Sequence, residues 1–226
     1  STDETILAVT RQHKLVDLEI EQQINTEIVG CIYKGVVKNI VPAVDGIFVD
    51  IGIGKNAFLR RKDLLNEKRF PTEGSPILAQ VIKSDTDMKG ALITEKISMF
   101  GKYAVTLSGT GYIGVSKKIR QESVRKRLKE IGKEICAEHM GLIIRTAAEN
   151  ADMDEFRKDI TRLKENWDII QKRFRMEKSP TLLYRESDII VKALRDYVNK
   201  GTEILITDNR KIYERICKLN ESEHTI

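Results

Sequence analysis

The chain has 226 residues, of which 41% are hydrophobic and 32% charged, a balance that fits one or two soluble domains with real cores. No apolar run is long enough to cross a bilayer as a helix, and the opening STDETILAV lacks the basic-then-apolar order of a secretory leader. The net charge of +5 is too small to define a partner, so the distribution of charge matters more than its sum.

TILAVT (5–10) reads as a short strand, and KLVDLEI (14–20) alternates apolar and acidic residues as its hairpin partner. Two strands cannot bury a core alone. From 28 to 98 the texture is all β. In the first strand Val36, Val37, Ile40 and Val41 are β-branched, and Asp45-Gly46 is a dipeptide suited to a tight hairpin. Ile47, Val49 and Ile51 then alternate with Phe48, Asp50 and Gly52, which sends Phe48 away from a core. NAFL (56–59) continues the pattern, and PILAQVIKSD (76–85) and KGALITEKI (89–97) add two strands around a turn at Asp85–Met88. Five strands are the number an OB-type barrel uses.

After 98 helices and strands alternate. Val124, Leu128, Ile131 and Ile135 place an amphipathic helix within 121–139, and Gly141–Ile144 is a short buried strand leading into Arg145-Thr146. Met153, Phe156, Ile160, Leu163, Trp167, Ile170 and Phe174 recur at intervals of three and four, which fits a coiled coil but better a long helix packing one stripe on a sheet, because the stripe stops with the helix. Leu182–Tyr184 is a brief strand, Ser187 caps a helix to Asn199, EILITD (203–208) reads as a buried strand, and 209–219 as a closing helix. The hairpin and this α/β region are expected to share one sheet, with the barrel inserted between them; the alternative is a hairpin that extends the barrel.

The barrel segment 28–98 carries eleven Lys and Arg against eight Asp and Glu, a weak excess. Its sharper feature is the set Tyr33, Phe48 and Phe58 among Lys34, Lys38, Lys55, Arg60, Arg61 and Lys89, since aromatics on a basic β surface stack bases and hold phosphates. The plain alternative is that Tyr33 and Phe48 fill the barrel core. KKIRQESVRKRLKE (117–130) reads equally as a solvated helix face or a phosphate-tracking surface. Arg145-Thr146 ends a buried strand, where a guanidinium and a hydroxyl can bind phosphate, although by pattern alone a salt bridge from Arg145 to Glu149 or Asp152 is the better explanation. No nucleophile elbow, phosphate-binding P-loop or dinucleotide motif occurs. Cys31, Cys136 and Cys217 and the three histidines lie far apart in no metal-ligand spacing, which argues for a reducing, cytoplasmic setting.

IYKGVVKNIVPAVDGIFVDIG, NAFL, KGALIT, GVSKKI and GLIIRTAAE, in that order and spacing, resemble the N-terminal half of the ribonuclease E/G family, and its ribonuclease G branch in particular. The resemblance implies an α/β ribonuclease-H-like subdomain (1–29 and 99–226) interrupted by an all-β S1-type OB-fold barrel (30–98). It implies a cytoplasmic, single-strand-specific endoribonuclease of RNA processing and decay that senses a 5′-monophosphate. Matched residue by residue, the family's RNA contacts fall on Phe48, Phe58 and Lys89, and its 5′-phosphate sensor on Gly101, Val105, Arg145 and Thr146. Lys34 and Lys38 join the RNA-binding set as basic neighbours. The family's catalytic aspartates, Mg²⁺ site and subunit-linking zinc motif follow the matched region, so the chain to Ile226 is expected to bind RNA without cutting it. No catalytic or metal-binding residue is assigned within the chain; the intact protein is expected to be an enzyme and a possible homo-oligomer. The competing expectation is a non-catalytic RNA-binding protein built from the same modules.

Overall fold

The computed structural model describes residues 4–22, 28–86, 89–136, 140–185, 189–198, 202 and 204–223. The chain divides into two compact units, 25–186 and a second formed by 1–24 with 187–226.

Within 25–186 the all-β part is a closed barrel. Its strands are β3 (Ile32–Val41), β4 (Gly46–Asp50), β5 (Ala57–Arg60), β6 (Pro76–Lys83) and β7 (Leu92–Thr94). They pair in the order β3-β4-β5-β7-β6, and β6 returns to β3. With this closure no barrel edge stays unpaired. Ile47, Val49, Ala57, Leu59 and Ile93 are fully buried inside, as the alternation requires. The β3–β4 connection departs from the expected two-residue turn. Pro42–Val44 form a 3-10 turn that Asp45 ends in the left-handed region at φ 48°, its N–H donating to Pro42 O at 3.0 Å. Gly46 already belongs to β4.

The chain then forms β8 (Ser98–Phe100), β9 (Ala104–Ser108), β10 (Ile113–Val115), α1 (Glu122–Ile135), β11 (Met140–Ile144) and α2 (Met153–Met176). The sheet order is β10-β11-β9-β8, with β10 parallel to β11 and the other pairs antiparallel. Strands β8 to β10 have no counterpart among the sequence-predicted elements. Helix α1 buries Leu128 and Ile131, and α2 buries Phe156, Ile160, Leu163 and Ile170, the stripes their spacings predicted. Asp152 caps α2, accepting the N–H groups of Asp154 and Glu155 at 2.8 and 3.3 Å.

Three devices join this layer to the barrel. Strand β12 (Thr181–Tyr184) pairs antiparallel with β3. The buried Gln80 amide donates to Gly30 O and Ser98 O and accepts Ser98 N–H, at 2.8–2.9 Å. Arg173 of α2 donates to the carbonyls of Leu182 and Leu183. Residues 99–186 therefore form one compact unit with the barrel.

In the other unit, β1 (Glu4–Arg11) and β2 (Lys14–Gln22) form an antiparallel two-stranded sheet, against which α3 (Ile189–Tyr197) packs. The described residues 204–208 of the expected strand 203–208 do not form one: Ile204 and Ile206 are exposed coil before α4 (Arg210–Glu223). An apolar run becomes a strand only when a neighbour takes its N–H and C=O groups, and among the described residues none does so here. The expected cap Ser187 and helix end Asn199 lie outside the described residues.

Candidate nucleic-acid interface

The barrel's exterior carries the first cluster. Phe48 and Phe58 are directly opposed across β4 and β5, with ring centroids 5.4 Å apart and planes inclined at 51°. Both are half-buried, while their neighbours Ile47, Val49, Ala57 and Leu59 are fully buried. The rings thus lie on the outer face, and the reading of Phe48 as a core plug is excluded. Gly46 makes this possible: a Cβ there would come within 2.2 Å of the Phe58 ring. Glycine is used at this position for close approach rather than for turn geometry.

The basic neighbours sort into two groups. Lys38 is exposed and sits 3.4 Å from Asp50. Lys89 is exposed in a turn where Thr86 and Lys89 exchange backbone hydrogen bonds at 2.8 and 3.2 Å. That turn leads to Ala91, whose carbonyl accepts Phe58 N–H at 2.7 Å, so Lys89 is anchored close to the aromatic pair. The others are engaged elsewhere. Arg61 lies over the Phe70 ring at 4.5 Å, Arg60 pairs with Asp63 at 2.5 Å, and Lys55 donates to Thr86 O at 2.9 Å. Lys34 needs correction as an RNA contact. It is 9% exposed, and its ammonium donates to Glu177 O at 2.6 Å and lies 5.1 Å from the Phe174 ring. It fastens α2 to β3. Tyr33 is likewise core, and burial pushes its phenol pKa up.

The second cluster forms where β9 and β11 meet the β8–β9 turn. Ile144 pairs with Ala104, Arg145 N–H donates to Tyr103 O at 2.8 Å, and Arg145 Nη1 donates to Gly101 O at 2.9 Å. Val105 stands in register with both Phe100 and Ile143. Gly101, Val105, Arg145 and Thr146 are therefore brought together from segments some forty positions apart in the sequence. Thr146 is exposed, and its hydroxyl lies 3.0 Å from that of Ser116. Ser116 was not singled out in the sequence, although the GVSKKI block contains it. Lys117, Lys118 and Arg120, next along that block, are exposed beside it, while Arg125 turns back to the carbonyls of Ser116 and Ile119 at 2.7 and 2.9 Å. A half-buried guanidinium anchored to a carbonyl, next to hydroxyls and exposed ammonium groups, is suited to an oxyanion.

A cavity of about 360 Å³ elsewhere in this unit is lined by Leu78, Glu95 and Trp167 among others, and includes no expected site residue. Among the described residues no three His, Cys, Asp or Glu side chains are placed to hold a metal ion, and no helix is long and apolar enough to span a membrane.

A five-stranded barrel with an external aromatic pair and a basic rim, joined to an α/β layer, defines a class of oligonucleotide-binding protein. Comparison with known proteins agrees: residues 27–94 match the S1 RNA binding domain. Residues 98–225 match the Ribonuclease E/G family, and the chain belongs to that family. It is 33% identical over 221 residues to Ribonuclease G of Escherichia coli (strain K12), covering 90% of this chain and 45% of that protein. It is 32% identical to Ribonuclease G of Haemophilus influenzae, covering 97% and 48%, and 31% identical to Ribonuclease E of Buchnera aphidicola subsp. Schizaphis graminum, covering 94% and 24%. The chain spans about half the length of the ribonuclease G relatives and about a quarter of this ribonuclease E.

Proposed function

We propose that this chain is the RNA-binding and 5′-end-sensing portion of a cytoplasmic, single-strand-specific endoribonuclease of RNA processing and decay. The observation that carries the reading is the Phe48–Phe58 pair, two aromatic rings held on the outside of a barrel where stability alone would not place them. Lys38 and Lys89 flank the pair and supply phosphate contacts. Arg145 and Thr146, together with Gly101 and Val105, receive the 5′-monophosphate. Phosphodiester cleavage is assigned to the longer polypeptide that the relatives represent, and binding and end-reading to this chain.

The test is a titration of two short single-stranded RNAs of one sequence, bearing 5′-monophosphate or 5′-hydroxyl, at two salt concentrations. Affinity should fall steeply with salt. The monophosphate form should bind tighter, and Arg145→Ala should remove that difference. Equal binding of both forms by the unaltered chain would sink the sensor assignment, and loss of all salt dependence would sink RNA binding.

A further inference from the structure

The buried carboxylate of Asp159 takes no part in the contacts assigned above, yet it lies directly beneath them. Its residue is 6% exposed in the middle of α2, among Phe156, Ile160 and Leu163. A carboxylate in such a place is costly unless strongly hydrogen-bonded. Its partners are backbone N–H groups of the β8–β9 turn. Oδ1 accepts Lys102 N–H at 3.2 Å, and Oδ2 accepts Tyr103 N–H at 2.8 Å. Arg162, one turn on, donates to Oδ1 at 3.1 Å. The turn rests on the carboxylate so closely that a Cβ on Gly101 would lie 2.4 Å from Oδ2.

The same three-residue turn holds Arg145 from the other side. Gly101 O accepts the guanidinium Nη1, and Tyr103 O accepts the Arg145 backbone N–H. With the Lys102 and Tyr103 N–H groups taken by Asp159 and the Gly101 and Tyr103 carbonyls accepting from Arg145, the turn is oriented by one and orients the other. Glu155 adds a grip through the Tyr103 hydroxyl at 2.5 Å, and the Tyr103 ring meets Phe156 edge-on at 6.4 Å.

Resting on the reading of Arg145 and Thr146 as a 5′-phosphate site, we infer that Asp159 is its positioning residue, fixing the 101–103 turn so that Gly101 O presents the Arg145 guanidinium to the phosphate. Asp159 touches no RNA. It acts by holding the peptide units of Lys102 and Tyr103 in one orientation.

Asp159→Asn separates this role from general stability. The amide keeps the volume but offers one acceptor where two N–H groups converge, leaving one facing an NH₂ group. Affinities for 5′-monophosphate and 5′-hydroxyl RNA are measured for the 226-residue chain, Asp159→Asn, Asp159→Glu and Arg145→Ala, alongside thermal melting and amide exchange at Lys102 and Tyr103. In Asp159→Asn the phosphate preference should fall at least about fivefold, while 5′-hydroxyl binding stays within about twofold and the two amides exchange faster. Asp159→Glu keeps the charge beside Arg162 but displaces the carboxylate, so it should also lose preference and serves if the Asn variant does not fold. Should Arg145→Ala abolish the preference while a folded Asp159 variant keeps it, the positioning role is overturned and the phosphate site stands. If Arg145→Ala leaves the preference intact, the phosphate reading fails and takes the positioning role with it.

Discussion

Replacing Phe58 by Ala asks the most of the interface, because β5 places a surface aromatic next to a core aliphatic. Phe58 faces Phe48 at 5.4 Å on the outer face, and Leu59 is fully buried inside the barrel. If Phe58 stacks one base, its loss should weaken single-stranded RNA binding by about 1–3 kcal/mol, or roughly 5- to 150-fold. Its stability cost should be modest, about 0.5–1.5 kcal/mol for the ring pair, because the ring is only half-buried. Leu59→Ala should do the reverse. It opens a cavity in the barrel core at a cost of about 2–5 kcal/mol and leaves RNA contacts in place wherever the protein remains folded. The assay is fluorescence anisotropy with a short unstructured RNA, paired with thermal melts of both variants. A Phe58→Ala variant that melts cooperatively and binds RNA within about twofold of the parent would refute the stacking role. A Leu59→Ala variant more stable than Phe58→Ala would refute the inside–outside assignment itself.

Lys34→Ala should lower the melting temperature through loss of the Glu177 carbonyl bond and the Phe174 contact, costing about 1–2 kcal/mol. The salt slope of RNA binding should not move, and a shallower slope would return Lys34 to the interface. Lys89→Ala should instead reduce the log–log salt slope by about 0.7, the value for one phosphate on a single strand; an unchanged slope removes Lys89 from the contact set. Burial pushes the Glu95 carboxyl above its ordinary pKa, opposed by the bond it accepts from Leu65 N–H at 3.0 Å. Its ionisation therefore works against folding. The favourable contribution is fully present below the unfolded carboxyl's pKa and is lost as pH rises through the raised folded value. Glu95→Gln should accordingly raise the melting temperature at pH 7.5 and change it little near pH 4, and a drop at pH 7.5 would contradict the sign.

What the sequence determined by itself was periodic. Alternation at period two sent Ile47 and Val49 inward and Phe48 outward, and spacings of three and four drew the buried stripes of α1 and α2, because each follows from backbone geometry within one element. The tertiary structure decided whatever depends on which segments meet. Lys34 and Lys38 are equivalent in a sequence pattern, yet β12 and α2 cover one and leave the other in solvent. Residues 204–206 look as strand-like as 142–144, but only the latter found neighbouring strands. The boundary at 186 follows from β12 pairing with β3, a non-local hydrogen-bond ladder that composition does not encode. Gly101 and Arg145 meet only because β9 runs antiparallel to β11, and Asp159 lies beneath them only because α2 crosses under that turn. Local chemistry chose the residue types, and long-range packing chose which of them share a surface.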